Sequence, residues 1–177
     1  MRLFIAVNFN DETKQQILKV QEQLRSQSVR GNFTRPENLH LTLIFLGETP
    51  ENRLDSLHSI LKAVTVPSFK ISFTRTGCFK RRNSELWWLG TELNSPGHLA
   101  LAEIQKQLAH NLESENFNFD KKPLNTHITL GREVIHNKPI NISFPNINTN
   151  IERSNISLKK SEHIKGVLTY TDIYLTL

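Results

Sequence analysis

His40-Leu41-Thr42-Leu43 and His127-Ile128-Thr129-Leu130 are one four-residue phrase written twice in a chain of 177 residues. In an extended strand, successive side chains point to opposite faces. Each phrase therefore puts an imidazole and a hydroxyl on one face and two aliphatic side chains on the other. Imidazole titrates near pH 6.5 and is the usual acid–base group of enzymes. A threonine hydroxyl donates hydrogen bonds to oxygens on which charge builds. Two such strands lying side by side would line one cleft with two proton-transfer groups and two oxyanion donors. That is the equipment of a metal-free acid–base phosphoesterase. Coincidence is the competing explanation, because Thr is common in strands. The matching apolar neighbours of both copies argue against it.

Other elements must position the two phrases. Residues 2–9 read as a buried strand. Asn10 or Asp11 caps a helix to about Gln27, with Ile17, Val20/Gln21 and Leu24 at helical spacing. The first His-Thr strand spans 39–46, and Gly47-Glu48-Thr49-Pro50 follows as a turn. Thr49 as cap and Pro50 at the first helical position start a second helix that buries Leu54, Leu57, Leu61 and Val64. Residues 68–79 and 85–93 form two strands joined by the charged hairpin loop Lys80-Arg81-Arg82-Asn83-Ser84. Ser95-Pro96 repeats the cap-plus-proline signal ahead of a helix carrying Leu101, Ile104, Leu108 and Leu112. A polar stretch over 114–126 leads into the second His-Thr strand. Residues 137–150 are loop with one short strand, and 151–160 and 167–176 are the last strands. The order predicts an α+β fold: two pseudo-symmetric lobes of antiparallel sheet with outer helices around a central cleft.

Bulk properties fit one globular domain over residues 1–177 with a sizeable core. The 37% hydrophobic fraction and ten Phe exclude a disordered chain. No apolar run approaches the roughly 20 residues that span a bilayer. The opening Met1-Arg2-Leu3-Phe4-Ile5-Ala6-Val7 is too short for a signal-peptide core. Cys78 is the only cysteine, which rules out an internal disulfide and makes a cytoplasmic setting the expectation. The net charge of +5 suits an anionic ligand. His58, His98, His110, His136 and His163 lack metal-ligand spacing, so no metal site is expected. The glycines form no phosphate-binding loop.

At the two phrases the sequence resembles the two-histidine phosphoesterase superfamily, and within it the RNA 2′,3′-cyclic phosphodiesterases, also called 2′-5′ RNA ligases. Arg2-Leu3-Phe4-Ile5-Ala6-Val7 is similar to that family's first strand. Pro36-Glu37-Asn38-Leu39-His40-Leu41-Thr42-Leu43-Ile44-Phe45-Leu46-Gly47-Glu48 and His127-Ile128-Thr129-Leu130-Gly131-Arg132 resemble its two motifs. Leu86-Trp87-Trp88-Leu89-Gly90 resembles its middle strand, and Ser161 with Gly166 and Tyr170 its carboxy-terminal signature. Thr126 stands where the family usually has proline. The resemblance implies hydrolysis of RNA 2′,3′-cyclic phosphate ends to 2′-phosphomonoesters, with His127 as general base and His40 as general acid. The residue pattern itself is symmetric and leaves these two roles open. The implied partners are RNA ends or oligonucleotides with a 2′,3′-cyclic phosphate. No cofactor, metal or membrane is implied, and the chain is expected to be a monomer.

Two imidazoles near neutral pH can be neutral and protonated at once, as in-line hydrolysis of a cyclic diester requires. Thr42 and Thr129 would hold the non-bridging oxygens. Five residues after the histidines the copies differ, with Phe45 in one and Arg132 in the other. Under pseudo-symmetry these two should face each other at one end of the cleft and clamp a nucleobase. Arg132 can instead pair with the phosphate, and Phe45 can instead be core. An odd offset puts both on the far face of an ideal strand, so a bulge, for which Gly131 is suited, or strong twist would have to redirect the second. Phe33 and Phe79 are candidates for the cleft mouth. Lys80-Arg81-Arg82 is either a solvated turn or a grip on upstream phosphates. Two alternatives stay open: action on other small cyclic nucleotides or 2′-5′ linkages, including weak ligation, and a non-catalytic RNA-end-binding module.

Overall fold

The computed structural model describes residues 1–143 and 146–175. Its elements in chain order are β1 (Arg2–Asn8), α1 (Asp11–Ser26), β2 (Arg30–Phe33), β3 (His40–Glu48), α2 (Leu54–Ala63), β4 (Phe69–Phe73), β5 (Arg75–Lys80), β6 (Glu85–Gly90), α3 (Pro96–Ser114), β7 (His127–Ile135), β8 (Ile147–Ile151), β9 (Ile156–Ile164) and β10 (Val167–Leu175). Asn10 caps α1 by accepting a hydrogen bond from Thr13 N at 2.8 Å. Ser95 caps α3 through a bond from His98 N at 3.3 Å. Both caps satisfy backbone donors that a helix start leaves free.

Among the described residues, eight strands join one antiparallel sheet in the order β10-β9-β1-β3-β7-β6-β5, with β2 added on β7. A second sheet pairs β4 with β8. The two His-Thr strands are direct neighbours, yet they share a single bridge, Leu41 to Ile128. Beyond it they splay, and β2 takes the vacated place beside the second half of β7. The halves β10-β9-β1-β3 and β7-β6-β5 thus meet at one point between the two phrases. The architecture is the α+β fold expected, with the two half-sheets fused into one.

One face of the paired strands is core. Leu41, Leu43, Ile128 and Leu130 are buried with Ile17, Val20 and Leu24 of α1, Leu57 and Leu61 of α2, and Leu101, Ile104 and Leu108 of α3. Burial of such side chains contributes about 1.5–3 kcal/mol each. The helical faces read from spacing are the buried ones, with Leu54 only half-buried. The opposite face carries His40, Thr42, His127 and Thr129, all half-buried.

Several boundaries differ from expectation. Thr49 does not cap a helix; its hydroxyl turns back to the Gly47 carbonyl at 3.4 Å. Pro50 opens a 3₁₀ turn over Glu51–Arg53, and α2 starts only at Leu54. β3 continues through Gly47 and Glu48, which the sequence assigns to a turn. The expected strand over 68–79 is two strands in different sheets, broken at Thr74. β9 starts at Ile156, five residues after the expected start at 151, because a 3₁₀ turn over Arg153–Asn155 intervenes. β2 has no counterpart in the sequence reading, since Arg30-Gly31-Asn32-Phe33 lacks apolar alternation. Phe144 and Pro145 of the predicted 137–150 segment, and Thr176 of the last strand, lie outside the described residues.

Candidate active site

The two histidines are held in the same way. His40 Nδ1 lies 2.7 Å from the Asn38 carbonyl, and His127 Nδ1 lies 2.8 Å from the Asn125 carbonyl. A carbonyl only accepts, so each Nδ1 carries the proton. Each neutral ring therefore keeps Nε2 as its basic nitrogen, on the open face of the sheet. At His40 this nitrogen is 3.0 Å from Thr42 Oγ1, which donates to it while the ring is neutral. The sequence reading missed these anchors. Their signal is an asparagine two residues before each histidine, which extends the repeated phrase to Asn-x-His-x-Thr. Asn38 is itself fixed: its side chain donates to Leu168 O at 3.0 Å and accepts from Tyr170 N at 3.2 Å.

The surroundings of the two rings differ. Phe4 and Tyr170 each pack 5.0 Å from the His40 ring, centre to centre. Burial lowers the His40 pKa to about 4, against the raising effect of the Asn38 bond; the charges of Lys159, Arg132 and His127 push the same way as burial. His127 is also lowered, by burial first and by Arg132, with the Asn125 carbonyl opposing. Phe79 sits edge-on to its ring at 5.9 Å. Lys159 is a buried cation that sequence reading passed over. It pairs with Asp172 at 2.8 Å, and its strand position is opposite Phe4. A lysine at 4% exposure is unusual, but nothing in Ser157-Leu158-Lys159-Lys160-Ser161 marks it in the sequence.

Bulges redirect the residues at offset five. In the β1–β3 ladder Ile5 pairs with Ile44 but Ala6 pairs with Thr42, so Leu43 is the extra residue. In the β6–β7 ladder Trp88 pairs with Thr129 but Trp87 pairs with Gly131, so Leu130 is the extra residue. Each bulge falls three residues after its histidine and moves the following odd positions onto the open face. Phe45 is accordingly 49% exposed, and Arg132 is exposed as well. A helix glutamine seals each bulge. Gln105 of α3 donates to Leu43 O at 3.0 Å, and buried Gln21 of α1 donates to Leu130 O at 2.8 Å and to Thr34 O at 2.7 Å.

The expected pairing of Phe45 with Arg132 is not what the strands allow. β3 and β7 run antiparallel through the Leu41–Ile128 bridge. Equal offsets from the two histidines therefore lead to opposite ends of the cleft. Phe45 packs on Phe4, with ring centres 5.9 Å apart, at one end. Arg132 lies at the other, in a cavity of about 250 Å³ that His40, Thr129, Phe33, Asn38 and Tyr170 also line. Phe45 is not core, and it does not line this cavity. His40, Thr129 and Arg132 thus share this cavity, Thr42 bonds His40, and His127 lies on the neighbouring strand close enough to act on His40 electrostatically, with Phe45 at the opposite end.

A sheet cleft flanked by two histidines with repeated His-x-Thr strands and three outer helices defines a class of phosphoesterase. Residues 7–88 match the LigT-like phosphoesterase family. A Thermotoga maritima RNA 2′,3′-cyclic phosphodiesterase is 34% identical over 135 residues, covering 75% of this chain and 70% of that protein. An Escherichia coli RNA 2′,3′-cyclic phosphodiesterase is 27% identical over 97% of this chain and 93% of its own length. A crystal structure of a Thermus thermophilus protein superposes with a TM-score of 0.81 at 25% identity, covering 98% of this chain and 96% of that one. Escherichia coli LigT complexed with 3′-AMP has the same fold, with a TM-score of 0.78 at 23% identity over 98% of this chain and 95% of its own. The chain belongs to the LigT-like RNA 2′,3′-cyclic phosphodiesterase family, whose members are phosphodiester hydrolases. No helix among the described residues is long and apolar enough to cross a membrane.

Proposed function

We propose that residues 1–177 act as one two-lobed phosphodiesterase domain that hydrolyses RNA 2′,3′-cyclic phosphate ends to 2′-phosphomonoesters. The observation that carries this reading is the paired anchoring of His40 and His127 through Nδ1, which leaves two Nε2 atoms on one open face beside Thr42 and Thr129. Family membership supplies the substrate class, through relatives named for it.

The cavity lies on the His40 side of the centre. A terminal nucleoside bound there presents its O3′ to His40, so His40 is the general acid. The opposite side of phosphorus then faces His127, the general base. His127 Nε2 takes a proton from water as the water oxygen bonds to phosphorus. The P–O3′ bond breaks, and His40 Nε2–H delivers a proton to O3′. The phosphate remains on O2′ as a monoester. Thr42 and Thr129 hydroxyls, with Arg132, stabilise the charge that builds on the non-bridging oxygens. Phe45, outside the cavity, contributes little to a mononucleotide.

The test is a short RNA with a 2′,3′-cyclic end, incubated with EDTA present. The expected product is the 2′-phosphomonoester, and His40→Ala and His127→Ala each lower turnover by about 10²–10⁴-fold. A 3′-monoester product would overturn the direction of attack. A variant with near-normal activity would overturn the two-histidine mechanism.

A further inference from the structure

We propose that the RNA strand on the 5′ side of the cyclic phosphate leaves the centre by the Arg132 end and lies on a basic track to the tip of the β5–β6 hairpin. This rests on the substrate reading above. It assigns a polynucleotide site beyond the terminal nucleotide.

The track is a chain of three depressions. The first is the cavity beside His40, which includes Arg132 and Asn32. The second, of about 460 Å³, is lined by Arg30, Gly31, Asn32, Asn83, Ser84 and Glu133. The third, of about 250 Å³, is lined by Lys80, Arg81, Asn83, Ser84, Glu85 and His136, among others. Asn32 belongs to the first two, and Asn83 and Ser84 belong to the last two. The first two adjoin on the cleft side, and the third lies round the hairpin tip, since Lys80 and Glu85 point to the face opposite Phe79 and His127. β2 joins the first two: Asn32 pairs with Arg132 on β7, and Arg30 lies two residues further from the centre.

The charges along this path are available. Arg132, Arg30, Arg81 and Lys80 form no ion pair among the described residues. Glu85, in the third depression, is occupied by Trp87 Nε1 at 2.8 Å and His136 Nε2 at 2.9 Å. Glu133 is the carboxylate on the path that opposes phosphate. The Phe45 end differs. The lysines next to it in the fold, Lys121 and Lys122, are paired with Glu113 and Asp120, and Asp120 N bonds the Phe45 carbonyl.

Chemistry fixes the rest. A 2′,3′-cyclic phosphate closes the 3′ end of a strand, so the remaining nucleotides extend only in the 5′ direction. Their phosphates need cations, and amide and hydroxyl donors such as Asn32, Asn83 and Ser84 suit non-sequence-specific contact. The open cations Arg132 and Arg30, contiguous with the cavity that takes the terminal nucleoside, select the direction.

The test compares wild type with the Arg30→Gln/Arg81→Gln double variant on two probes. One is a fluorescent RNA of about eight nucleotides ending in a 2′-phosphate, read by anisotropy against salt. The other is a 2′,3′-cyclic mononucleotide, read by hydrolysis. The expected result is oligonucleotide binding weakened about ten-fold or more at low salt. Its log–log salt slope falls by about 1.4, from two lost contacts at about 0.7 each. Mononucleotide kcat/KM stays unchanged, and the Arg→Lys double variant keeps the wild-type slope. Unchanged oligonucleotide binding and slope would overturn the track, as would a parallel loss on the mononucleotide. Absence of hydrolysis by the wild type, with the binding arm behaving as stated, would sink the catalytic reading and leave the track standing.

Discussion

As the general acid proposed above, His40 would have to carry a proton, yet burial lowers its pKa to about 4 and leaves the free ring almost wholly neutral at pH 7. Restoring the ordinary value of 6.5 takes about 3 kcal/mol. An anion about 4 Å from the ring supplies about 4 kcal/mol at an effective dielectric of 20, so one phosphate charge against His40 is enough. It also offsets the field of Lys159 and Arg132, which helps hold the ring neutral. Binding of an anion in the cleft should therefore draw in a proton. The ring then no longer accepts the Thr42 hydroxyl, which becomes free to donate to the phosphate. Calorimetry with sulfate, which keeps its charge in this range, in buffers of different ionisation enthalpy at about pH 5.5, should give uptake approaching one proton per ligand. The His40 ring resonance should titrate low in the free protein and move up in the complex. Removing one lowering charge by Arg132→Gln should raise the free-state value. Zero uptake in the wild type, or undiminished uptake in His40→Asn, would refute this account of the acid.

The depressed His40 pKa also predicts acid sensitivity. Below about pH 6.5 the unfolded chain binds a proton that the fold refuses until about pH 4, so stability present above 6.5 is lost across this window as pH falls. Thermal unfolding against pH should show this, with a flatter profile in His40→Asn. Gln21→Met removes the buried amide that seals the Leu130 bulge and should cost about 1–3 kcal/mol in denaturant unfolding, with turnover reduced through misplaced Arg132. His98 Nδ1 bonds Thr126 Oγ1 at 2.7 Å, beside the Asn125 carbonyl that orients His127. His98→Ala and Thr126→Val should both lower kcat with little change in KM, and an unaltered kcat in both would remove this anchor from the mechanism.

The parts legible in the sequence were those with a period. Leu41, Leu43, Ile128 and Leu130 alternate with His and Thr, so the split into core and cleft faces followed from the pleat. Helix faces such as Ile17–Val20–Leu24 and Leu101–Ile104–Leu108 followed from the 3.6-residue repeat. Non-local facts were not legible. β2 is a strand only because β3 leaves β7 after one bridge and exposes its edge. Phe69–Phe73 separates from Arg75–Lys80 because β8 and β6 claim different partners. Lys159 bears on the site through ladder neighbours distant in sequence, Phe4 and Asp172. Thr49-Pro50 carried a cap signal, but the chain used the hydroxyl locally and delayed the helix.

The offset-five residues show how a repeat can be read correctly in part and still mislead. Phe45 and Arg132 are the divergent pair, and a bulge near Gly131 or strong twist was needed to redirect Arg132; the bulge falls at Leu130, and β3 carries a second one at Leu43 that the sequence did not announce. What comparison alone lacked was strand direction. Two copies on parallel neighbours would bring equal offsets together, but antiparallel neighbours send them apart. The divergence is therefore not a two-sided clamp. It makes the two ends of the cleft unlike: an aromatic edge at Phe45, and at the other a guanidinium, Arg132, in a cavity that adjoins Arg30. A symmetric pair of histidines cannot distinguish leaving group from water. Unlike ends can: on the proposed path, a strand leaving over Arg132 would place its terminal ribose in the cavity beside His40 and leave the His127 side of phosphorus to water.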